Sequence, residues 1–417
     1  MINMKKFMPF ASAVALTIGL AGCGTADEGD KAGGAKGGNE IEFWAYEPGS
    51  KEHKDSLNAL IDEYEEANDV TVKTSYIPKD DFNTKLNSSI AVGKNPDVSY
   101  LDQPLVPKFA EDGTLLQLDE YADGENGIDR TQYFTGAFDT NVVDGNLFGL
   151  PLNQTTVALF YNKDLVPTPP ATWDDWVAMA EEVYAKDQIG AYEGVGTGGW
   201  AAWLFPAFVH SGGGSMVNAD ETEATFGEEA GVEAAELLNS LYKYSDLAVR
   251  DSQDAFGNGK LATKISGPWE IDTFKNNFPD LNFGVALIPS KEGVQSYSNI
   301  GGDNIVVYEN SDSPEAAWGL VKFLTSKENS IAVADITGNF PVQLEAAEDP
   351  KYAEDENLSV FLQQMETAVA RPRLTDWLKV NDEVIGTALE EITLSGKDAK
   401  ETLGAAQDRA NDILFSE

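Results

Sequence analysis

Four tryptophans lie in or near segments where the sequence predicts loops: one after the first predicted strand, two in the segment that follows Gly198-Gly199, and one after Gly267-Pro268. They are Trp44, Trp200, Trp203 and Trp269. An aromatic ring on a loop can present its face to a ligand, and the flat C–H face of a pyranose suits such a ring. We therefore treat these residues as candidates for binding a polyhydroxylated ring. Packing inside the fold is the alternative for each of them.

Two acidic residues are candidates for binding hydroxyl groups, because carboxylates accept hydrogen bonds from them. Asp102 ends a predicted parallel strand, at the edge where open α/β sheets bind ligands. Glu270 directly follows Trp269. It could bind a ligand, or it could only stabilise the first turn of a helix through the helix dipole.

Motifs for common enzyme chemistries are missing from the chain. There is no HExxH motif, nucleophile elbow or phosphate loop, and the two histidines, His53 and His210, are too few for a histidine-rich metal site. We expect no cofactor and no enzymatic activity. A secreted glycoside hydrolase stays as an alternative, since 70 acidic residues allow many carboxylate pairs.

An acidic segment loosely resembles a calcium-binding loop. It contains Asp119, Asp123, Gly124 and Asp129, but Tyr121 occupies a position that needs an oxygen ligand. We expect a solvated acidic loop and no metal there.

The first residues have the order of a secretory leader. Lys5 and Lys6 precede an uncharged apolar stretch at 7–22, and the only cysteine, Cys23, follows Leu-Ala-Gly. This resembles the bacterial lipoprotein box and implies a signal peptide at 1–22 and a lipid anchor on Cys23. Residues 23–39 are rich in glycine, alanine and charge, and we expect a flexible tether.

Composition predicts a folded, acidic body. Of 417 residues, 42% are hydrophobic and 10% aromatic, and the net charge of −41 becomes −43 when Lys5 and Lys6 leave with the leader. Nucleic acid is excluded as a partner, because binding phosphates needs a positive surface. Solubility is the simplest explanation of the acidity.

Hydrophobic periodicity predicts an α/β fold. Strands at 41–46, 70–76 and 97–102 alternate with amphipathic helices at 57–67 and 82–90, an order typical of a largely parallel sheet with helices on both faces. A second α/β unit begins with strands at 149–152 and 157–161. Further helix starts are the capping box Thr172-Trp173-Asp174-Asp175 and Ser313-Pro314-Glu315, and helices are predicted at 380–392 and 403–414.

Several ordered segments together resemble the family 1 extracellular solute-binding proteins of carbohydrate ABC importers, the group that contains maltose-binding protein. The segments are GLPL (149–152), ALFYNKDL (158–165), PATW (170–173), SGPW (266–269) and residues 313–323. The resemblance extends from residue 41 almost to the last residue.

The resemblance implies a periplasmic-binding-protein-like type II fold, with two α/β lobes around a central ligand cleft. The lobes would comprise residues 40–152 with 305–350, and 153–304 with 351–417. The chain would cross between them near 151–153, 303–305 and 350. Hinge closure would bury an oligosaccharide and form the surface that the ABC permease subunits recognise. We expect a monomer that contacts the membrane through its lipid anchor only.

The resemblance also implies further site residues. Trp269 matches a stacking tryptophan of the family, and Trp377 falls where the C-terminal part supplies another. Asn153 lies at the first expected crossing, and Asp303 and Asn304 lie at the second, where turn formation is the alternative. Arg371 could face the cleft or fix the last helices, and a receptor for a polyamine or another small solute stays open as an alternative function.

Overall fold

The computed structural model describes residues 39–125, 127–187, 189–192, 199–250, 252 and 254–415. Cys23, the predicted leader and the predicted tether up to residue 38 lie outside these residues. The expectations about export and lipidation therefore stay predictions.

Strands and helices alternate along most of the chain. The strands are β1 (Glu40–Tyr46), β2 (Thr71–Ile77), β3 (Val98–Asp102), β4 (Val142–Val143), β5 (Asn146–Leu147), β6 (Gly149–Pro151), β7 (Ala158–Asn162), β8 (Gly190–Tyr192), β9 (Leu261–Ser266), β10 (Phe283–Ala286), β11 (Ser298–Asn299), β12 (Asp303–Val307) and β13 (Ala368–Val369). The helices are α1 (Lys51–Asn68), α2 (Lys79–Ile90), α3 (Leu105–Glu111), α4 (Asp119–Ala122), α5 (Thr135–Phe138), α6 (Trp173–Asp187), α7 (Gly199–Ser211), α8 (Glu229–Tyr242), α9 (Leu247–Arg250), α10 (Trp269–Asn277), α11 (Pro314–Leu324), α12 (Lys327–Thr337), α13 (Leu344–Ala347), α14 (Pro350–Glu354), α15 (Glu356–Met365), α16 (Trp377–Lys379), α17 (Gly386–Thr393) and α18 (Ala399–Phe415). A π-helical turn, Val380–Ile385, joins α16 to α17.

The first sheet has the strand order β2-β1-β3-β12-β6. Strand β1 is parallel to β2 and β3, as the sequence predicts, whereas β12 is antiparallel to both β3 and β6. Helix α11, which follows β12 in the chain, packs against this strand.

Helix α1 follows directly from its apolar spacing. Leu57, Ile61 and Tyr64 are buried against the first sheet, at the three-and-four spacing of one helix face. Ser50 caps the helix by accepting a hydrogen bond from the His53 backbone N–H, and Asp69 ends it in the left-handed conformation.

The second sheet has the order β10-β7-β9-β8 and is mostly antiparallel, with only β8 and β9 parallel. Leu159 packs into one hydrophobic core, and Phe160 packs into another on the opposite face. On the first of these faces lies α6, where Thr172 and Asp175 form the predicted capping box through two reciprocal hydrogen bonds of 3.1 and 3.2 Å.

The hydrophobic cores separate along the chain. One core draws on residues 41–152 and 305–342, and the largest core beside the second sheet draws on residues 157–288 and 377–410. The chain therefore passes between them at 152–157, at 288–305 and again between 336 and 352, a segment in which Phe340 packs with a core of the second sheet and Val342 with the first core. These cores support the predicted two-lobe division, which stays a prediction. Phe340 is an exception, since it packs with the cores of the second sheet.

Candidate functional site

A cavity of about 720 Å³ lies between elements of the two sheets. This volume is within the range of about 300–1,000 Å³ that is typical of small-molecule sites. Its lining comes from the ends of β1, β3, β9 and β12, from the first turns of α2, α7 and α10, and from loops that connect the sheets.

One side of the cavity, which we call the aromatic wall, consists of Trp200, Trp203 and Trp269. Trp200 is stacked on Trp203 with ring centroids 4.9 Å apart and an interplanar angle of 17°. Trp269 presents its edge to Trp200 at 6.4 Å and 70°. Trp200 is 38% exposed, so an aromatic face is open to a ligand without any rearrangement of the core.

Two glycines place Trp269 in this wall. A Cβ atom on Gly267 would lie 2.0 Å from Cζ3 of Trp269, so only glycine leaves room for the indole. Gly338 has a φ of +67°, and a Cβ there would approach the Trp269 Cα to 3.0 Å. The SGPW segment thus has a physical basis, since its glycine allows the ring position and Pro268 precedes the first turn of α10.

The opposite side, the polar wall, consists of Tyr46, Lys79, Tyr100, Asp102 and Asp303. Tyr46 and Asp102 end the parallel strands β1 and β3, whose carboxyl ends meet at one edge of the first sheet. Asp303 lies directly opposite Asp102 in the antiparallel pairing of β12 with β3. The sheet register therefore brings the two carboxylates together.

Ion pairs hold three of the cavity carboxylates. Arg371 donates from Nη2 to Asp102 Oδ1 at 2.7 Å and from Nη1 to Asp102 Oδ2 at 3.4 Å. The Lys264 ammonium lies 2.8 Å from Glu270 Oε1, with only 9% of the lysine side chain exposed. On the polar wall, Lys79 Nζ lies 3.9 Å from Asp303 Oδ1.

Two phenols of the polar wall stay protonated far into the alkaline range. Burial raises the pKa of Tyr46 well above its usual value, and the negative charges of Asp303 and Asp102 raise it further. Burial also raises the pKa of Tyr100 strongly. Each phenol therefore retains its O–H, and the buried Tyr100 hydroxyl has no hydrogen-bond partner among the described residues.

The structure brings seven of the candidate residues to the cavity: Asp102, Trp200, Trp203, Trp269, Glu270, Asp303 and Arg371. It places the other four elsewhere. Trp44 lies within β1 and is 7% exposed, so its expected position in a loop is wrong; its ring packs into the core beneath the Lys85 ammonium. Trp377 is fully buried among the helices beside the second sheet, because α16 turns its indole inward.

The two remaining residues are buried amides. Asn304 points away from the cavity, since neighbouring residues of a strand face opposite sides, and its Oδ1 accepts hydrogen bonds from Thr140 and Asn141. Asn153 is fully buried behind Asp303, to which its Nδ2 donates at 3.1 Å.

A family model described as bacterial extracellular solute-binding protein matches residues 59–360, more than half of the chain. The chain belongs to this family. The maltodextrin-binding protein of Bacillus subtilis is 26% identical over 99% of this chain and 97% of its own length. The galactooligosaccharide-binding protein of the same species is 25% identical over 97% and 96%.

Solved structures agree with the family. The GacH receptor of Streptomyces glaucescens, solved unliganded and with acarbose, superposes with a TM-score of 0.79 at 25% identity, covering 90% of this chain and 98% of that one. The type II fold predicted from the sequence is confirmed. In this solute-binding protein, no helix within the described ranges has the length and apolarity needed to cross a membrane.

Sequence reasoning missed several cleft residues of this solute-binding protein. Tyr46 ends a parallel strand just as Asp102 does, so the same rule applied to β1 would have found it. Lys79 opens α2 and lies 4.9 Å above the Tyr46 ring. Lys264 and Tyr100 lie inside strands among apolar residues, where no local pattern distinguishes a cleft residue from a core residue.

The acidic loop has a structural explanation. The Arg130 guanidinium contacts Asp119 at 2.9 Å and Asp123 at 3.0 Å, and Asp129 caps the turn that contains Arg130. Arg130 thus occupies the carboxylates that a calcium ion would need. Across the described parts of the chain, no three His, Cys, Asp or Glu residues are grouped to hold a metal.

Both histidines lie at helix ends. His53 is in the first turn of α1, and His210 is in the last turn of α7. The Nδ1 atom of His210 lies 3.0 Å from the Gly214 carbonyl oxygen, and burial lowers the pKa of this imidazole. Neither histidine lines the cavity.

Proposed function

We propose that this protein is an extracytoplasmic receptor that captures a neutral oligosaccharide in the cleft and delivers it to the permease of an ABC importer. The observation that carries the proposal is the arrangement of Trp200, Trp203 and Trp269 across one cavity from Asp102 and Asp303. Aromatic faces and forked hydrogen-bonding groups are the two requirements for holding a pyranose.

The aromatic wall offers two separate surfaces to a sugar. They are the Trp200 ring, which covers Trp203, and the Trp269 ring, which is inclined at 70° to Trp200 with its centroid 6.4 Å away. A ligand of at least two units would use both surfaces, and the cavity volume allows it. The named ligands of the relatives, maltodextrin and galactooligosaccharide, have this size class and support the assignment.

Charge favours a neutral ligand over an anionic one. Among the described residues, six acidic and three basic side chains line the cavity, and Arg371, Lys264 and Lys79 each lie beside a carboxylate. A sugar acid or phosphate would therefore meet net negative charge.

Delivery would depend on a hinge. Three chain segments connect the two cores, so a rotation about these segments would open and close the cleft without disturbing either sheet. The closed form would present the surface that the permease recognises. We propose that the protein acts as a monomer, and that the lipidated Cys23 with the tether after it holds the receptor at the membrane surface.

Binding is proposed without catalysis. Glycoside hydrolysis needs one carboxyl group as an acid and a second as a base or nucleophile. Asp102 and Glu270 are instead held in ion pairs with Arg371 and Lys264. Incubation with labelled oligosaccharides tests this, and cut products would contradict it.

A cationic solute is the second candidate, because the same excess of carboxylates beside tryptophans suits an ammonium group. Spermidine would then bind more tightly than any neutral sugar, and moderate salt would abolish its binding.

Calorimetry and intrinsic tryptophan fluorescence test the main proposal against malto-, isomalto-, raffinose-type, xylo- and galacto-oligosaccharides. We expect one series to bind with a dissociation constant of about 1 μM or below, with affinity rising from one sugar unit to two or more. If no oligosaccharide series binds and spermidine does, the result contradicts the main proposal and supports a cationic solute as the ligand.

A further inference from the structure

Asn153 lies at the centre of the three chain segments that connect the two cores. The backbone N–H groups of Leu152 and Asn153 donate to the Asp303 carbonyl oxygen at 2.8 and 3.3 Å. The next residues pair with the other segments, Thr155 with Gly301 and Gln154 with Phe340, each through two backbone hydrogen bonds of 2.9–3.0 Å. The segment 152–155 is therefore the middle strand of a short ladder that contains all three crossings.

The Asn153 side chain joins the same segments a second time. Its Nδ2 donates to Asp303 Oδ2 at 3.1 Å, and its Oδ1 accepts from the Asp303 backbone N–H at 3.3 Å and from Asn339 Nδ2 at 3.1 Å. Asn153 itself has no exposed surface. One buried amide thus contacts both of the other crossings.

Hydrogen-bond chemistry determines the orientation of this amide. An ionised carboxylate only accepts hydrogen bonds, so the group facing Asp303 Oδ2 must be the NH₂ of Asn153. Its oxygen then faces the Asp303 N–H and the Asn339 amide, both of which donate. Every contact has the correct polarity, and a change at residue 153 would leave buried groups without partners.

The backbone beside Asn153 leaves no room for adjustment. Gly302 has a φ of +135°, and a Cβ on this residue would lie 2.3 Å from the Asn153 carbonyl oxygen. Asp303, in contrast, lines the cavity and faces Lys79 with its other carboxylate oxygen at 3.9 Å. Asn153 itself does not line the cleft, and it reaches the cleft through Asp303 and Asn339, which both line it.

We infer that Asn153 is a positioning residue that couples the Asp303 carboxylate to the three crossing segments, so that a ligand held by Asp303 also determines the hinge angle. The ligand part of this inference rests on the proposed function. The coupling between Asn153 and the hinge does not, and it can be measured without any ligand.

Three variants separate the coupling from the charge of Asp303. N153D places two carboxylates where a donor and an acceptor now meet, so it breaks the contact by repulsion. D303N removes the cleft charge but retains an acceptor for the Asn153 NH₂. The double variant N153D/D303N reverses donor and acceptor and restores the contact, since the Asp303 N–H and Asn339 can still donate to a carboxylate at position 153.

The hinge is measured by the distance between two spin labels. Val92 and Leu394 are 67% and 51% exposed, and they belong to the parts of the chain that carry the first and the second sheet, respectively. Both are replaced by cysteine in the full chain with Cys23→Ser, which removes the only native thiol. Pulsed electron resonance then gives the distribution of hinge positions for each variant.

We expect the parent, D303N and N153D/D303N to share one distance distribution without ligand, and N153D to have a shifted or broadened one. Lowering the pH should return N153D toward the parent, because a shared proton converts the facing carboxylates into a donor and an acceptor. An N153D distribution equal to that of the parent, or a double variant that behaves like N153D, would overturn the coupling. If N153D does not fold, Asn339→Ala replaces it, and an unchanged distribution in that variant contradicts the inference.

The dissociation rate of the oligosaccharide that binds best in the panel tests whether the bound ligand is coupled to the hinge through Asp303. Its dissociation from N153D should be about tenfold faster than from the parent, and D303N and the double variant should agree within about twofold, since both lack the carboxylate. Equal dissociation from N153D and the parent contradicts the inference even when the sugar binds well. Failure of every sugar to bind contradicts only the proposed function.

Discussion

The two walls of the cleft are built in different ways. The aromatic wall consists of helix starts, where Trp200 and Trp269 each follow a glycine or a proline, and its rings contact one another. The polar wall consists of strand ends, where Asp102 and Asp303 are set opposite each other by the sheet register.

The aromatic wall should therefore contribute mainly to the affinity for the ligand, and the polar wall mainly to the orientation of the ligand. Apolar faces contribute through area removed from water, which tolerates small shifts of the ligand. Hydrogen bonds to the carboxylates depend on distance and angle, so they determine which sugar fits and in which direction. The rigid sheet edge therefore carries the directional groups, and the helix starts carry the tolerant surface.

The largest effect should come from removing the Trp269 ring of the aromatic wall. Trp269→Ala deletes one stacking face, and aromatic stacking on flat rings contributes about 1–3 kcal/mol. We expect affinity for the best oligosaccharide to fall about 30-fold or more by calorimetry, and Trp269→Phe to recover part of the loss. Trp318→Phe, a buried change in the core of the first sheet, is the matched control and should leave affinity unchanged. Unchanged affinity in Trp269→Ala would show that the aromatic wall does not bind the ligand.

A smaller effect on affinity is expected at the polar wall, together with a loss of stability. Asp102→Asn weakens the pair with Arg371, whose side chain is only 9% exposed, while Asp102 is 29% exposed. Because a nearly buried guanidinium loses its counter-charge, we expect the free energy of unfolding to fall by about 2 kcal/mol and affinity to fall about tenfold. Asp55→Asn, in the exposed pair with Lys51, is the control and should change stability by less than about 0.5 kcal/mol. Equal effects at both sites would show that the cleft pair is an ordinary surface pair.

The third largest effect should come from adding a negative charge to the ligand, which affects the polar wall more than the aromatic wall. An oligosaccharide with one hexose oxidised to a uronic acid retains its flat faces but adds a negative charge near the excess of cavity carboxylates. We expect it to bind about five- to tenfold more weakly than the neutral parent sugar, with a smaller difference at high salt. Tighter binding of the acid would contradict the proposed neutral ligand.

Alkaline pH should give the smallest effect. The pKa values of Tyr46 and Tyr100 are raised in the folded state, so the folded protein retains these protons more tightly than the unfolded chain does. Their contribution to stability is fully present below the ordinary tyrosine pKa of about 10 and decreases as the pH rises above it. Urea unfolding at a series of pH values should show a flat free energy up to about pH 10 and a decline beyond it. Tyr46→Phe should reduce the decline, and a fall in stability that begins well below pH 10 would have another cause.

Local patterns predicted the fold well because each element carries its own signal. The stripe of Leu57, Ile61 and Tyr64 and the capping box at Thr172 act over a few residues, and the structure confirms both. The position of β12 between β3 and β6 depends on contacts between distant segments. No local signal predicts that it is antiparallel.

The site was harder to predict for the same reason. Glycine and proline beside Trp200 and Trp269 predict loop positions for these rings, and both rings line the cavity at the starts of helices. Neither Trp44 nor Trp377 has a glycine or a proline next to it in the sequence. Whether their rings face a core or a cleft depends on the packing of other elements. Tyr100 and Lys264 were missed because strand residues at a sheet edge and in a sheet centre have the same local sequence.

The late strand of the first sheet has a consequence for biogenesis. Strand β12 pairs on both edges, yet more than 150 residues separate it from β6, so the first core cannot close until residues 303–307 have been synthesised. Such a large sequence separation slows folding. A nascent chain with this topology stays unfolded for longer, which is the state that passage through a secretion channel requires.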